Sequence, residues 1–146
     1  MKRIFAISLG AVMMASLLGG CVTHAKEPDL ALDKNSAAGI FHVTLLPPQR
    51  APAINQMHSW QLRLQDASGA PVTGARFLVD GGMPQHGHGL PTRPRVTREI
   101  EAGTYQIDGM KFSMTGWWEL KLAIDGTRGS DTVTFNMMVK NPVPSP

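Results

Sequence analysis

Trp118-Glu-Leu-Lys-Leu-Ala-Ile-Asp-Gly126 decides the fold. Trp118, Leu120, Leu122 and Ile124 alternate with Glu119, Lys121 and Ala123. A period of two puts alternate side chains on opposite faces of an extended chain, so this run reads as a strand with one apolar face. Asp125-Gly126 is a turn pair that ends it. The pattern repeats in both directions. Val133, Phe135, Met137 and Val139 make the last strand, and Tyr105 and Ile107 make one after the turn Ala102-Gly103. Val96 and Ile100 lie in a run dense with charge, which predicts an edge strand. Phe77 and Val79 alternate with Arg76 and Leu78, and Asp80-Gly81-Gly82 is expected to stop that strand. Trp60, Leu62 and Leu64 lead into the turn Asp66-Ala-Ser-Gly69, and Phe41, Val43 and Leu45 form the first run. Beyond the N-terminal segment no stretch shows a helical period. About seven short strands separated by turn residues predict an all-β chain, an immunoglobulin-like antiparallel β-sandwich. Trp60 and Trp118 are the largest expected core members.

The N-terminus reads differently. Lys2 and Arg3 precede an apolar run from Ile4 to Leu18, and Leu18-Gly-Gly-Cys21 follows. This is the layout of a secretion signal. The run is shorter than the roughly 20 residues a membrane span needs. Leu, two small residues and Cys resemble the bacterial lipoprotein signal. That resemblance implies cleavage before Cys21 and acylation of Cys21, whose several acyl chains anchor stably where one would not. Val22 follows where an inner-membrane retention signal would carry aspartate. By resemblance to enterobacterial sorting this implies an outer-membrane lipoprotein facing the periplasm. The expected organisation is a signal peptide at 1–20, a flexible tether at 21–39, the β-sandwich domain at 40–140 and a proline-rich tail at 141–146.

Composition narrows the classes. The formal charge of +3 includes Lys2 and Arg3, so the rest of the chain carries only +1. No dense basic cluster points to nucleic acid. Arg93, Arg95 and Arg98 are followed by Glu99 and Glu101, as on a solvated strand face. Cys21 is the single cysteine, so no disulfide forms within the chain.

Two segments carry the unusual chemistry. Gly81-Gly-Met-Pro-Gln-His-Gly-His-Gly-Leu-Pro91 and Gly109-Met-Lys-Phe-Ser-Met-Thr-Gly-Trp-Trp118 hold Met83, His86, His88, Met110 and Met114. In extended chain His86 and His88 point one way, as do Met110 and Met114. Imidazole suits copper and zinc, whereas thioether selects soft Cu(I), so the set favours copper. The plainer reading makes the methionines core filler and the histidines solvent-exposed. His58 reads as a satisfied core histidine. Trp117, pointing opposite Trp118, is a candidate contact residue for an envelope protein. Ser113 has no evident base at a recognisable spacing. Asp80 and Asp108 read as turn-formers, so an enzyme is not expected.

Met83-Pro-Gln-His-Gly-His-Gly-Leu-Pro-Thr-Arg-Pro94 and Tyr105-Gln-Ile-Asp-Gly-Met-Lys-Phe-Ser-Met-Thr-Gly-Trp-Trp-Glu-Leu120 resemble the YtkA-like family, which is related to FixH-type proteins. His58-Ser-Trp60 and the turn Gly69-Ala-Pro-Val-Thr-Gly-Ala75 belong to the same resemblance, which spans roughly residues 54–138. It implies a small β-sandwich with no established catalytic activity. FixH-type relatives are linked to assembly of copper-containing oxidases, so the resemblance implies copper handling by analogy. This chain departs from them in having a lipoprotein signal where they have a membrane helix.

Overall fold

The computed structural model describes residues 27–141. Cys21, the signal segment and residues 142–146 lie outside them. Nine strands follow in chain order: β1 (Asp33–Asn35), β2 (Phe41–Leu46), β3 (His58–Asp66), β4 (Arg76–Met83), β5 (His88–Gly89), β6 (Arg95–Glu101), β7 (Thr104–Met110), β8 (Gly116–Gly126) and β9 (Gly129–Val139). They build two antiparallel sheets, in the orders β1-β2-β3-β7-β6 and β5-β4-β8-β9. The fold is an all-β, immunoglobulin-like sandwich. Its seven longer strands are the seven runs of alternating sequence, and the charged β6 is the outer strand of its sheet, as expected.

The alternation sets the core. Phe41, Val43, Leu45, Trp60, Leu62, Leu64, Tyr105, Ile107, Trp118, Leu120, Leu122, Ile124, Val133 and Phe135 are buried in one cluster between the sheets. Burying a large apolar side chain contributes about 1.5–3 kcal/mol, and this two-sheet layer is the main driving force for the fold.

Three expectations are corrected. Residues 33–39, read as tether, join the domain. β1 pairs with β2, and Ala37 donates to the Thr132 carbonyl of β9 at 2.8 Å. Asp80-Gly81-Gly82 does not end β4, which continues to Met83. Without side chains, Gly81 and Gly82 let β8 and β5 approach so closely that a Cβ at Gly81 would fall on the Glu119 carbonyl oxygen, and one at Gly82 on that of His88. Asp80 and Asp108 lie within β4 and β7 rather than in turns. Asp108 accepts hydrogen bonds from Ser59 of β3, Thr97 of β6 and Gln106, tying three strands together.

The sandwich has two distinct ends. At the lower end the strands turn tightly through residues 67–75, 102–103 and 127–128. There Asp66 accepts from the Ser68 hydroxyl and amide, the Ala70 amide and Arg128. At the upper end the connections are longer, at residues 47–57, 84–94 and 111–115. They meet one another. The Asn55 amide donates to the Phe112 carbonyl (2.8 Å), and Thr92 Oγ1 donates to the Gly109 carbonyl (2.6 Å). The described chain leaves at this end too, because Gly116 opens β8 opposite Val139, which closes β9. It also arrives there. The Leu32 carbonyl accepts from Leu45 near the end of β2, and the Asp29 carbonyl accepts from Asn136 Nδ2.

Candidate functional site

All five Met and His candidates belong to the upper end, in two environments. Met83 closes β4 and Met110 closes β7, and both are buried in the core. Met83 packs its methyl toward Gly116, where a Cβ would approach it to 3.0 Å. His86, His88 and Met114 are exposed. The extended geometry expected for the histidines is replaced by a turn. The His86 amide donates back to the Met83 carbonyl at 3.0 Å, Gly87 takes φ 64°, and His88 re-enters the sheet as β5. A positive φ costs glycine little, which is why the reversal falls there. The turn brings the imidazoles face to face, with centroids 5.9 Å apart and planes 17° from parallel. Met110 and Met114 do not share a face. Residues 111–115 leave the sheet, and the loop is held where Trp118 Nε1 donates to the Met114 carbonyl at 3.0 Å.

Among the described residues no three His, Cys, Asp or Glu side chains converge. A metal held by the His86–His88 pair would need further donors from outside that set, and Met114 is the exposed thioether of the expected five. A shallow recess of about 230 Å³ beside the pair is lined by Gly82, Met83, Pro84, His88, Glu119 and Lys121. The Glu119 carboxylate there is paired with Lys121 at 3.1 Å.

Trp117 points away from the core, as its position opposite Trp118 requires. It is half-buried, and its Nε1 donates to Asn136 Oδ1 at 3.0 Å. Asn136 in turn donates to Asp29, which links Trp117 to the segment that enters the domain. Sequence reading passed over two further thioethers at this end, Met57 and Met138. The doublet Met137-Met138 within a strand held the signal, since adjacent residues face opposite ways and Met137 is inward.

His58 is only half satisfied. The Trp60 indole N–H donates to His58 Nδ1 at 2.8 Å, and the ring lies 5.0 Å from Phe112. An accepting Nδ1 places the proton of the neutral ring on Nε2. That nitrogen is buried and has no partner among the described residues. Burial holds the His58 pKa below its ordinary 6.5. The unfolded chain thus takes up this proton first. This contribution is full above the ordinary value of about 6.5 and is lost as the pH falls below it. Asp66, Asp108 and Asp131 have carboxyl pKa values lowered to about 2, chiefly by the hydroxyls of Ser68, Ser59 and Ser36 respectively. Their contribution is intact above about pH 5 and is lost below that, as the pH falls through their folded values. Urea unfolding from pH 7.5 to 5 is expected to show a decline that His58→Gln, which can still accept from Trp60, flattens. An equal slope in both proteins counts against this assignment.

The fold and these positions define an all-β sandwich that carries His58, His86, His88 and its described methionines at one end, with His42 toward the other. The chain belongs to the YtkA-like family, whose model matches residues 35–123. Among solved structures, the Lin-41 filamin domain is similar at 14% identity and a TM-score of 0.43, over 67% of this chain and 93% of that one. The C-terminal domain of ZirS is similar at 9% identity and a TM-score of 0.41, over 92% and 86%. No curated protein matches the chain.

Proposed function

We propose that this chain is a lipid-anchored envelope protein that handles copper through the Met and His side chains of its upper end. The observation that carries the reading is the face-to-face pair of His86 and His88, exposed at the same end as Met114. Two imidazoles already brought together by a glycine turn need only side-chain rotation to present nitrogens to one ion. Thioethers prefer the cuprous state. Met83, at the end of β4 beside the pair, is a buried thioether that opening of the 84–87 turn would expose, and Met110, at the end of β7 in the other sheet, is one that opening of the 111–115 loop would expose. The FixH-type relatives suggest the same cargo by analogy. No residue here is assigned a catalytic role, and acylation at Cys21 supplies the anchor on the periplasmic side of the outer membrane.

Titration of the protein with Cu(I) and Cu(II) by calorimetry tests the reading. The parent is expected to bind with one-to-one stoichiometry, and His86→Ala with His88→Ala to lose at least about tenfold in affinity, the scale seen when groups around a metal are removed. Equal affinity in parent and double variant refutes the assignment. A non-metal docking module is the second reading. It is favoured by the half-buried Trp117 beside exposed Met138, a pairing suited to a contact surface.

A further inference from the structure

The two ends of the sandwich differ in charge. The connections that form the upper end, residues 47–57, 84–94, 111–115 and 140–141, contain Arg50, Arg93, Lys111 and Lys140 and no carboxylate. Among the described residues none of these four cations is paired with a carboxylate. On the strands below, Asp108 is engaged by Ser59, Thr97 and Gln106, Glu119 by Lys121 and Asp33 by His42 and Thr44, while Asp80 of β4 is exposed and has no partner among the described residues. Where the chain arrives, Asp29 is paired with Lys34 at 2.9 Å, and Glu27 is exposed. The lower connections, residues 67–75, 102–103 and 127–128, contain Arg128 as their only charged residue, and the strand ends beside them carry Asp66, Glu99, Glu101, Asp125 and Asp131 against Arg76 and Arg98.

The upper end also presents apolar side chains between its cations. Met57, Met138 and Met114 are 61%, 45% and 38% exposed. Beside them an apolar recess of about 330 Å³ is lined by Pro52, Trp60, Phe112, Met137, Met138 and Val139. Long unbranched thioethers adapt to irregular apolar surroundings, and basic side chains around them suit an anionic interface.

The chain's path gives the orientation. Asp29 is fixed beside the upper end by Asn136 and lies eight residues after Cys21. Eight residues reach at most about 28 Å. That is shorter than the roughly 35 Å length of an eleven-residue strand such as β8. Asn136 lies about 10 Å of strand from Val139 at the upper end and about 23 Å from Gly129 at the lower one, so an anchor at Cys21 reaches the upper end with slack chain and the lower end only with the chain nearly straight.

We propose that the upper end docks on an anionic lipid surface. Arg50, Arg93, Lys111 and Lys140 meet lipid phosphates, and Met57, Met114 and Met138 settle at the headgroup boundary. The orientation rests on the lipid-anchor reading above. It turns the candidate copper donors toward the membrane, so that cargo would be exchanged at the bilayer surface rather than in open solvent.

Methionine oxidation footprinting of the full protein, purified from membranes and returned to vesicles, tests this. Vesicles of phosphatidylcholine alone are compared with vesicles that also contain phosphatidylglycerol. With phosphatidylglycerol, oxidation of Met57, Met114 and Met138 is expected to slow at least about fivefold, the factor from a single basic side chain at an anionic surface. High salt reverses the protection, and combined Arg50→Glu, Arg93→Glu, Lys111→Glu and Lys140→Glu abolishes it. Met83 and Met110 stay unoxidised throughout, which reports an intact fold. Equal oxidation in both vesicle types, with the protein still attached, overturns the docking surface and leaves the anchor standing. Release of the protein by salt, with an unmodified Cys21 by mass spectrometry, overturns the anchor; protection that persists before release keeps the docking surface. Protection in native membranes but in neither vesicle type overturns the lipid surface in favour of a membrane protein.

Discussion

Trp118→Ala is expected to lower folding stability by about 3–5 kcal/mol, the range for deleting a buried aromatic side chain. Trp118 has no solvent exposure and packs its ring 5.2 Å from Phe112, near the upper end of the inter-sheet layer. The loss has two parts. The cavity removes apolar burial and dispersion contacts that the surrounding strands cannot recover by collapse. The missing indole N–H also leaves the Met114 carbonyl without its donor and frees residues 111–115 from β8. Trp118→Phe weights the two differently, because it keeps most of the apolar volume, leaves a smaller cavity and removes the hydrogen bond completely. Urea unfolding of both variants is expected to rank parent above Phe above Ala. In addition, Met114 should oxidise faster in both variants than in the parent. A loss below about 1 kcal/mol for the alanine variant contradicts the core assignment.

Gly82→Ala is expected to cost about 1–3 kcal/mol, the usual penalty of forcing an extra carbon into a packed position. The new Cβ meets backbone on β5, namely the His88 carbonyl and the Gly89 Cα, and backbone cannot rotate aside as a side chain does. The expected consequence is local. β5 parts from β4, the stacked imidazoles separate, and the Leu90 amide loses its bond to the Gly81 carbonyl. Hydrogen exchange at Leu90 reads this directly. Gly87→Ala is the comparison, since nothing lies within 4 Å of its would-be Cβ and only the backbone conformation opposes it. It should cost about 1 kcal/mol and leave Leu90 protected. Slow exchange at Leu90 in Gly82→Ala would show that the close approach of β5 is not what requires glycine.

Where side chains alternate, the fold was legible. β3, β8 and β9 follow directly from Trp60 to Leu64, Trp118 to Ile124 and Val133 to Val139, because burial of one sheet face leaves a period of two in the sequence. The two short strands were not legible, since neither is made by an apolar pattern. β1 is Asp-Lys-Asn, held by its ladder to β2 and by Lys34 reaching Asp29 and the Thr134 carbonyl. β5 exists because Gly82 admits another backbone, and the glycine pair it belongs to reads equally well as a stop. The candidate site was partly legible for a similar reason. Glycines around His86 and His88 announced a tight turn. Nothing in the residue order distinguishes a methionine such as Met110, which plugs the core, from Met114, which lies outside it. Both stand between polar or glycine neighbours, Gly109 and Lys111 or Ser113 and Thr115, and the difference is set by where the chain leaves β7. The unpaired His58 Nε2 depends on Trp60 claiming the other nitrogen, a contact between residues two apart that alternation predicts only as a shared face.

Arrival and departure of the chain on one side has a practical consequence. A reporter or affinity handle fused after Asn141 would stand at the same end as His86, His88 and Met114, across the sheet from the histidines, and a bulky one would crowd whatever they meet. The Thr127-Arg128 hairpin tip, at the far pole of the molecule and exposed, is the better place to insert one.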